Sequence, residues 1–226
     1  MRIVFLCSGG GGNLKFIVHA IAQGWAGDAQ VCAVLSDREC EANAFARMHR
    51  LPTEVLDFSP AGQRVVLERL QALGPDVVVT TVHRVLVPEM VQAFRGRLLN
   101  LHYSLLPAFG GAIGVRPVQQ ALDHGATFVG ITVHHVDEGL DTGRPIVQAV
   151  TAVPPAAEVA PLMNVLFRAG CVGLLHAIGS LSPEGRVAGG GEPRASVRLA
   201  GQAVHVNPPV VVPAALEDAP GWAFLG

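Results

Sequence analysis

Residues 2–81 alternate between short, unbroken apolar runs and stretches whose apolar residues recur every three or four positions. Residues 2–7, 30–36, 53–57 and 76–81 are of the first kind; Ile3-Val4-Phe5-Leu6-Cys7 and Val77-Val78-Val79 carry no polar break. Residues 13–23, 40–49 and 61–73 are of the second, with Leu14, Phe16, Ile17, Ala20 and Ile21 marking the buried side of the first helix. Strands alternating with helices predict an α/β fold, a Rossmann-like, mostly parallel twisted sheet with helices on both faces. Strands buried on both faces need no polar alternation, which accounts for the continuous apolar runs.

Past residue 81 the pattern is less regular. The spacing predicts strands over 97–101, 127–136 and 145–152, a loop rich in glycine and proline over 103–115, and a helix starting at Pro117 and running to about 124. A long apolar helix is expected over 158–180. Ala188-Gly189-Gly190-Gly191-Glu192-Pro193 reads as a hinge, 195–206 as a hairpin turning at Gly201, and the double proline at 208–209 as the start of a tail pinned by Trp222 and Phe224. The expected organisation is a catalytic domain over 1–186 with a short β extension, 187–226, packed on it.

The 226 residues are half apolar, with no long basic run and a net charge of −2. Neither phosphate neutralisation along a nucleic acid nor a membrane-spanning window of some 18 uninterrupted apolar residues is expected. The N-terminal apolar run is too short for a signal peptide, so a cytoplasmic location is expected. Cys7, Cys32, Cys40 and Cys171 form no C-x-x-C pair, and Cys7 and Cys32 read as small buried apolar residues.

Three constellations offer chemistry. Ser8-Gly9-Gly10-Gly11-Gly12-Asn13 joins the first strand to the first helix, where bare amides and close backbone approach suit an anion such as a phosphate; the plain alternative is a turn. Asn100 and His102 stand two apart at a strand end, so both side chains point the same way, an amide donor beside an imidazole for a developing oxyanion; the alternative is a polar pair satisfied in the core. Asp141, in the polar stretch Asp137 to Gly143, would favour an imidazolium if it met His102. A convergence of His83, His102, His134 and Asp141 on a metal is a further alternative, without metal-motif spacing.

Two of these segments, Asn100-Leu-His102-Tyr-Ser104-Leu-Leu-Pro107 and Val133-His134-His135-Val-Asp137-Glu-Gly139-Leu-Asp141-Thr-Gly143, resemble the signature of the folate-dependent formyltransferases. The likeness extends over roughly residues 1–205 and is strongest to the glycinamide ribonucleotide branch. It implies a formyltransferase fold and transfer of a formyl group from 10-formyltetrahydrofolate, as co-substrate, to a small-molecule amine acceptor. It implies Asn100, His102 and Asp141 as catalytic, and Arg84, Val85, Leu86, Asp137, Glu138, Gly139 and Leu140 as the folate pocket. Gly9, Gly10, Gly11, Gly12 and Asn13 would form the acceptor's phosphate loop, with no metal, nucleic acid or membrane partner and a monomer or homodimer. Departures fall on the acceptor side: Gly12 stands where the family carries serine, and Cys171-Val172 or their neighbours where its last helix carries a Glu-His pair. Leu-Pro-Ala-Phe-Gly-Gly-Ala also resembles formyltetrahydrofolate deformylase, a hydrolase with the same three groups.

Overall fold

The computed structural model describes residues 1–182, 191–217 and 222. The chain runs β1 (Arg2–Cys7), α1 (Gly12–Ala22), β2 (Gln30–Ser36), α2 (Glu41–Met48), β3 (Thr53–Val55), α3 (Gln63–Leu73), β4 (Val77–Thr81), α4 (Pro88–Ala93) and β5 (Leu98–His102). It continues α5 (Arg116–Asp123), β6 (Phe128–His135), β7 (Pro145–Ala152), α6 (Val159–Ser180), β8 (Arg194–Leu199) and β9 (Gln202–Val210), with a 3₁₀ turn at Ala214–Leu216. Among the described residues, nine strands join one sheet in the order β3-β2-β1-β4-β5-β6-β7-β9-β8. The first five are parallel to their neighbours and the remainder antiparallel.

Ile3, Phe5 and Cys7 of β1 enter a core with α1, α2, α5 and α6. Val4 and Leu6 enter a second core with α3 and α4 on the opposite face. Each apolar run thus feeds both layers in turn, which is why it lacks a polar face. The chain leaves β1 for β2 on one side and later places β4 on the other, so the sheet order reverses between β1 and β4. A crevice opens beyond the carboxyl ends of strands at such a switch point.

The structure departs from the sequence reading in several places. Helix α4 had no predicted counterpart, because six residues beginning at Pro88 are too few to show a period, although Met90 and Val91 are buried. Strand β9 passes through Pro208 and Pro209 to Val210 instead of stopping before them. A register shift between Arg194 and Ser196 accommodates this stretch beside the edge strand β8. Helix α6 is long and apolar enough to cross a membrane by composition, yet 72% of its most apolar window is buried within the protein, as befits a core helix. Trp222 is buried, stacks on Phe16 at 5.6 Å between ring centroids, and donates its indole N–H to the Leu216 carbonyl at 2.8 Å. Phe224 and residues 188–190 of the expected hinge lie outside the described residues.

A Cβ on Gly130 of β6 would lie 2.2 Å from the Ala149 carbonyl oxygen of β7 and 2.6 Å from the Leu105 side chain. The backbone contact cannot be relieved without moving the sheet. Gly130→Ala should therefore lower unfolding stability by about 1–3 kcal/mol, the usual cost of overpacking, read as a drop in urea midpoint.

Candidate functional site

Beyond the carboxyl ends of β4 and β5, next to that switch point, lies a cavity of about 310 Å³. Its floor is the end of β5. Asn100 and His102 both line it. The Asn100 side-chain amide donates to the Thr80 carbonyl at 2.8 Å, which fixes the side chain and leaves its second N–H available.

His102 is buried, and both of its ring nitrogens face acceptors. Nδ1 lies 3.2 Å from Asp141 Oδ2, and Nε2 lies 3.1 Å from the Phe109 carbonyl oxygen. A neutral imidazole can donate only once; an imidazolium satisfies both partners. Asp141 reaches His102 from the loop after β6, with its backbone in the left-handed region at φ 56. Its Oδ2 also accepts the Gly111 N–H at 2.7 Å. The loop is folded tightly on itself. Asp137 accepts from the Gly139 N–H and the Thr142 hydroxyl, and a Cβ at Gly143 would lie 1.7 Å from the His135 carbonyl oxygen.

The sequence reading considered His134 only as a possible metal ligand. It is buried and pairs across the sheet with Asn100. Its Nδ1 lies 2.8 Å from the His135 carbonyl, so Nδ1 carries the proton and Nε2 keeps its lone pair. Nε2 has no hydrogen-bond partner and stands 3.7 Å from Asp141 Oδ1 at the cavity wall. Burial pushes its pKa below the ordinary value, which keeps the ring neutral. The register slips between Val133 and His134, a bulge that no strand periodicity reveals. Among the described residues no three His, Cys, Asp or Glu side chains form a metal-binding group.

The other expected residues divide into two sets. Arg84, Val85, Leu86, Asp137, Glu138, Gly139 and Leu140 all line the cavity. The glycine loop is different: the cavity reaches Asn13, but Gly9, Gly10, Gly11 and Gly12 do not line it. Gly11 caps α1 at φ 67, where an added Cβ would lie 2.8 Å from Ala42; one on Gly12 would lie 2.8 Å from Phe167. Helix packing thus accounts for both glycines, and α1 begins with no side-chain cap. Asn13 was expected near the cap but lies inside the first turn. Its side chain turns inward to the Tyr103 hydroxyl and to Cys171 Sγ, the latter 3.7 Å away. Burial raises the pKa values of Tyr103 and Cys171 well above their ordinary ranges, so both stay neutral.

A sequence profile described as "Formyl transferase" matches residues 1–178. The chain is 33% identical over 163 residues to the chloroplastic phosphoribosylglycinamide formyltransferase of Arabidopsis thaliana, covering 67% of this chain and 55% of that protein. It is 32% identical over 155 residues to a formyltetrahydrofolate deformylase of Escherichia coli, covering 63% of this chain and 54% of that protein. The match thus spans about half the length of either relative. Among solved structures it is similar to glycinamide ribonucleotide transformylase 1 from Symbiobacterium toebii, with a TM-score of 0.73 and 34% identity over 79% of this chain and 85% of that one.

The buried, neutral state of His134 has a thermodynamic consequence. Its folded pKa is below the ordinary 6.5, so the unfolded chain binds a proton that the folded chain refuses. Stability present at neutral pH is therefore lost as pH falls through 6.5 toward the lower folded value. The urea midpoint should drop between about pH 7.5 and pH 5.5, and His134→Asn should flatten that slope.

Proposed function

The chain belongs to the formyl transferase family, and from that membership we propose that it moves the formyl group of 10-formyltetrahydrofolate onto a primary amine. The observation that carries this reading is the convergence of Asn100, His102 and Asp141 on one cavity that 84–86 and 137–140 also line.

The acceptor nitrogen attacks the formyl carbon, and the carbonyl π electrons pass to oxygen. Asn100 donates its free N–H to that oxyanion. His102 donates Nε2–H, now on the Phe109 carbonyl; an oxyanion is the stronger acceptor and takes over that hydrogen. Asp141 keeps the imidazolium charged and oriented through Nδ1. The attacking amine becomes cationic and must lose a proton, and Asp141 Oδ1 with the unpaired lone pair of His134 Nε2 receives it. Collapse of the tetrahedral adduct breaks the bond to N10, which leaves protonated as tetrahydrofolate.

The acceptor enters from the α1 side, toward Asn13 and Tyr103. A phosphate on it would meet the uncapped amides at the start of α1. Helix α6 supplies no carboxylate to hold its polar groups: a side chain at position 170 would collide with Leu101 at 2.7 Å, and Cys171 is fully buried against Asn13. Hydrolysis, with water in place of the amine, is the second reading, supported by the deformylase likeness.

Incubation with 10-formyltetrahydrofolate and a panel of amines, following tetrahydrofolate release, tests the proposal; release that ignores the amine supports the hydrolase instead. Asp141→Asn keeps the side-chain shape but removes the charge beside His102, and turnover should fall by about 100-fold or more. Turnover within about threefold of the parent would refute the assignment. With glycinamide ribonucleotide as acceptor, the missing α6 carboxylate and loop hydroxyl should hold kcat/KM below about 10⁴ M⁻¹s⁻¹. A higher value would show that other groups compensate.

A further inference from the structure

The cavity wall formed by residues 82–87 has no helix or strand of its own. Side chains from three other elements tether it: Ser8 and Gln63 bond its backbone, and Asp37 meets the Arg84 side chain. The Ser8 hydroxyl, at the end of β1, accepts the His83 N–H at 2.8 Å and also bonds the Asp37 carboxylate. Asp37, after β2, is held below the usual carboxylate range first by Arg38, and its Oδ2 lies 3.6 Å from Arg84 Nε. The third tether is Gln63, in the first turn of α3. Its Nε2 donates to the Val85 carbonyl at 2.9 Å and to the Phe58 carbonyl at 3.1 Å, while its Oε1 accepts the Val87 N–H at 2.8 Å.

Gln63 is 1% exposed and does not line the cavity, so it touches nothing that enters. Bonding the carbonyl of residue i and the amide of residue i+2 is what a neighbouring strand does to an extended chain. The primary amide of Gln63 thus substitutes for a strand along 85–87. An extended chain alternates its polar groups, so this pairing leaves the amide and carbonyl of Leu86 on the opposite side, toward the cavity that Leu86 lines. Only a primary amide supplies both donors and an acceptor here; glutamate loses the donors and methionine loses all.

We propose that Gln63 is a positioning residue for the folate co-substrate, holding 85–87 extended so that the backbone at Leu86 faces the ligand. This rests on the formyl-transfer reading. The acceptor end, built from Asn13, Tyr103 and α6, shares no bond with Gln63, so the effect falls on one substrate.

The test compares the parent with Gln63→Met, of similar volume, by titration with a folate analogue carrying carbon in place of N10, beside acceptor kinetics. Losing this pairing should weaken the analogue about 10-fold while the acceptor KM stays within about twofold. Should the methionine variant fail to fold, Gln63→Glu, which keeps the acceptor for Val87, takes the same measurements with the same expected split. Unchanged analogue affinity in the variant overturns the inference and leaves the formyl-transfer reading standing. Equal weakening of both substrates overturns it too, since that is general loosening. A parent chain that does not bind the analogue removes the reading itself, and the role of Gln63 with it.

Discussion

The contact on which the site depends is between the Asp141 carboxylate and Nδ1 of His102. It joins a strand end to a loop from the next hairpin, and three further features exist to keep it in place. The Gly111 N–H shares the same carboxylate oxygen, the Phe109 carbonyl receives the far side of the imidazole, and the left-handed backbone at Asp141 turns the side chain inward. A carboxylate so placed has one oxygen on Nδ1 of His102 and the other turned toward His134. In the proposed reaction, charge stabilisation and proton removal fall to opposite sides of this one group.

Much of the cavity wall is irregular chain, and irregular chain beside a buried site must have its polar groups met one by one. Segment 82–87 is tethered by Ser8, Asp37 and Gln63, and the loop 137–143 by Asp137, Thr142 and two glycines without room for a side chain. The nearby stretch 104–108 is tied to β6 by Thr132, which accepts the Leu106 N–H and donates to the Ser104 carbonyl. Walls built this way are held in place without being regular, which suits the proposed reaction, where two substrates must be aligned within bonding distance.

The acceptor end is organised differently. Asn13 bonds both Tyr103 and Cys171, and Leu101 fills the space beside Gly170. These side chains are neutral and mutually satisfied. They shape that end of the cavity by volume more than by charge.

The sequence determined the parallel half of the fold, because strands buried on both faces must be continuously apolar and the helices between them must be amphipathic. It also brought Asn100 and His102 to one face, since a strand repeats every two residues, and the motif likeness pointed to Asp141. It did not reveal α4, which is too short to show a period, or the passage of β9 through Pro208-Pro209, which depends on the register beside β8. The free lone pair of His134 follows from a bulge and a carbonyl contact, neither of which leaves a periodic trace. The glycine run looked like one phosphate cradle; packing against Ala42 and Phe167 gives Gly11 and Gly12 reasons of their own. Gln63 was one polar residue at a helix start, and only the tertiary structure brings it to Val85 and Val87, 22 and 24 positions along the chain. Periodicity records which side of an element is buried; bonds between distant irregular segments have no period, so the folded chain alone decides them.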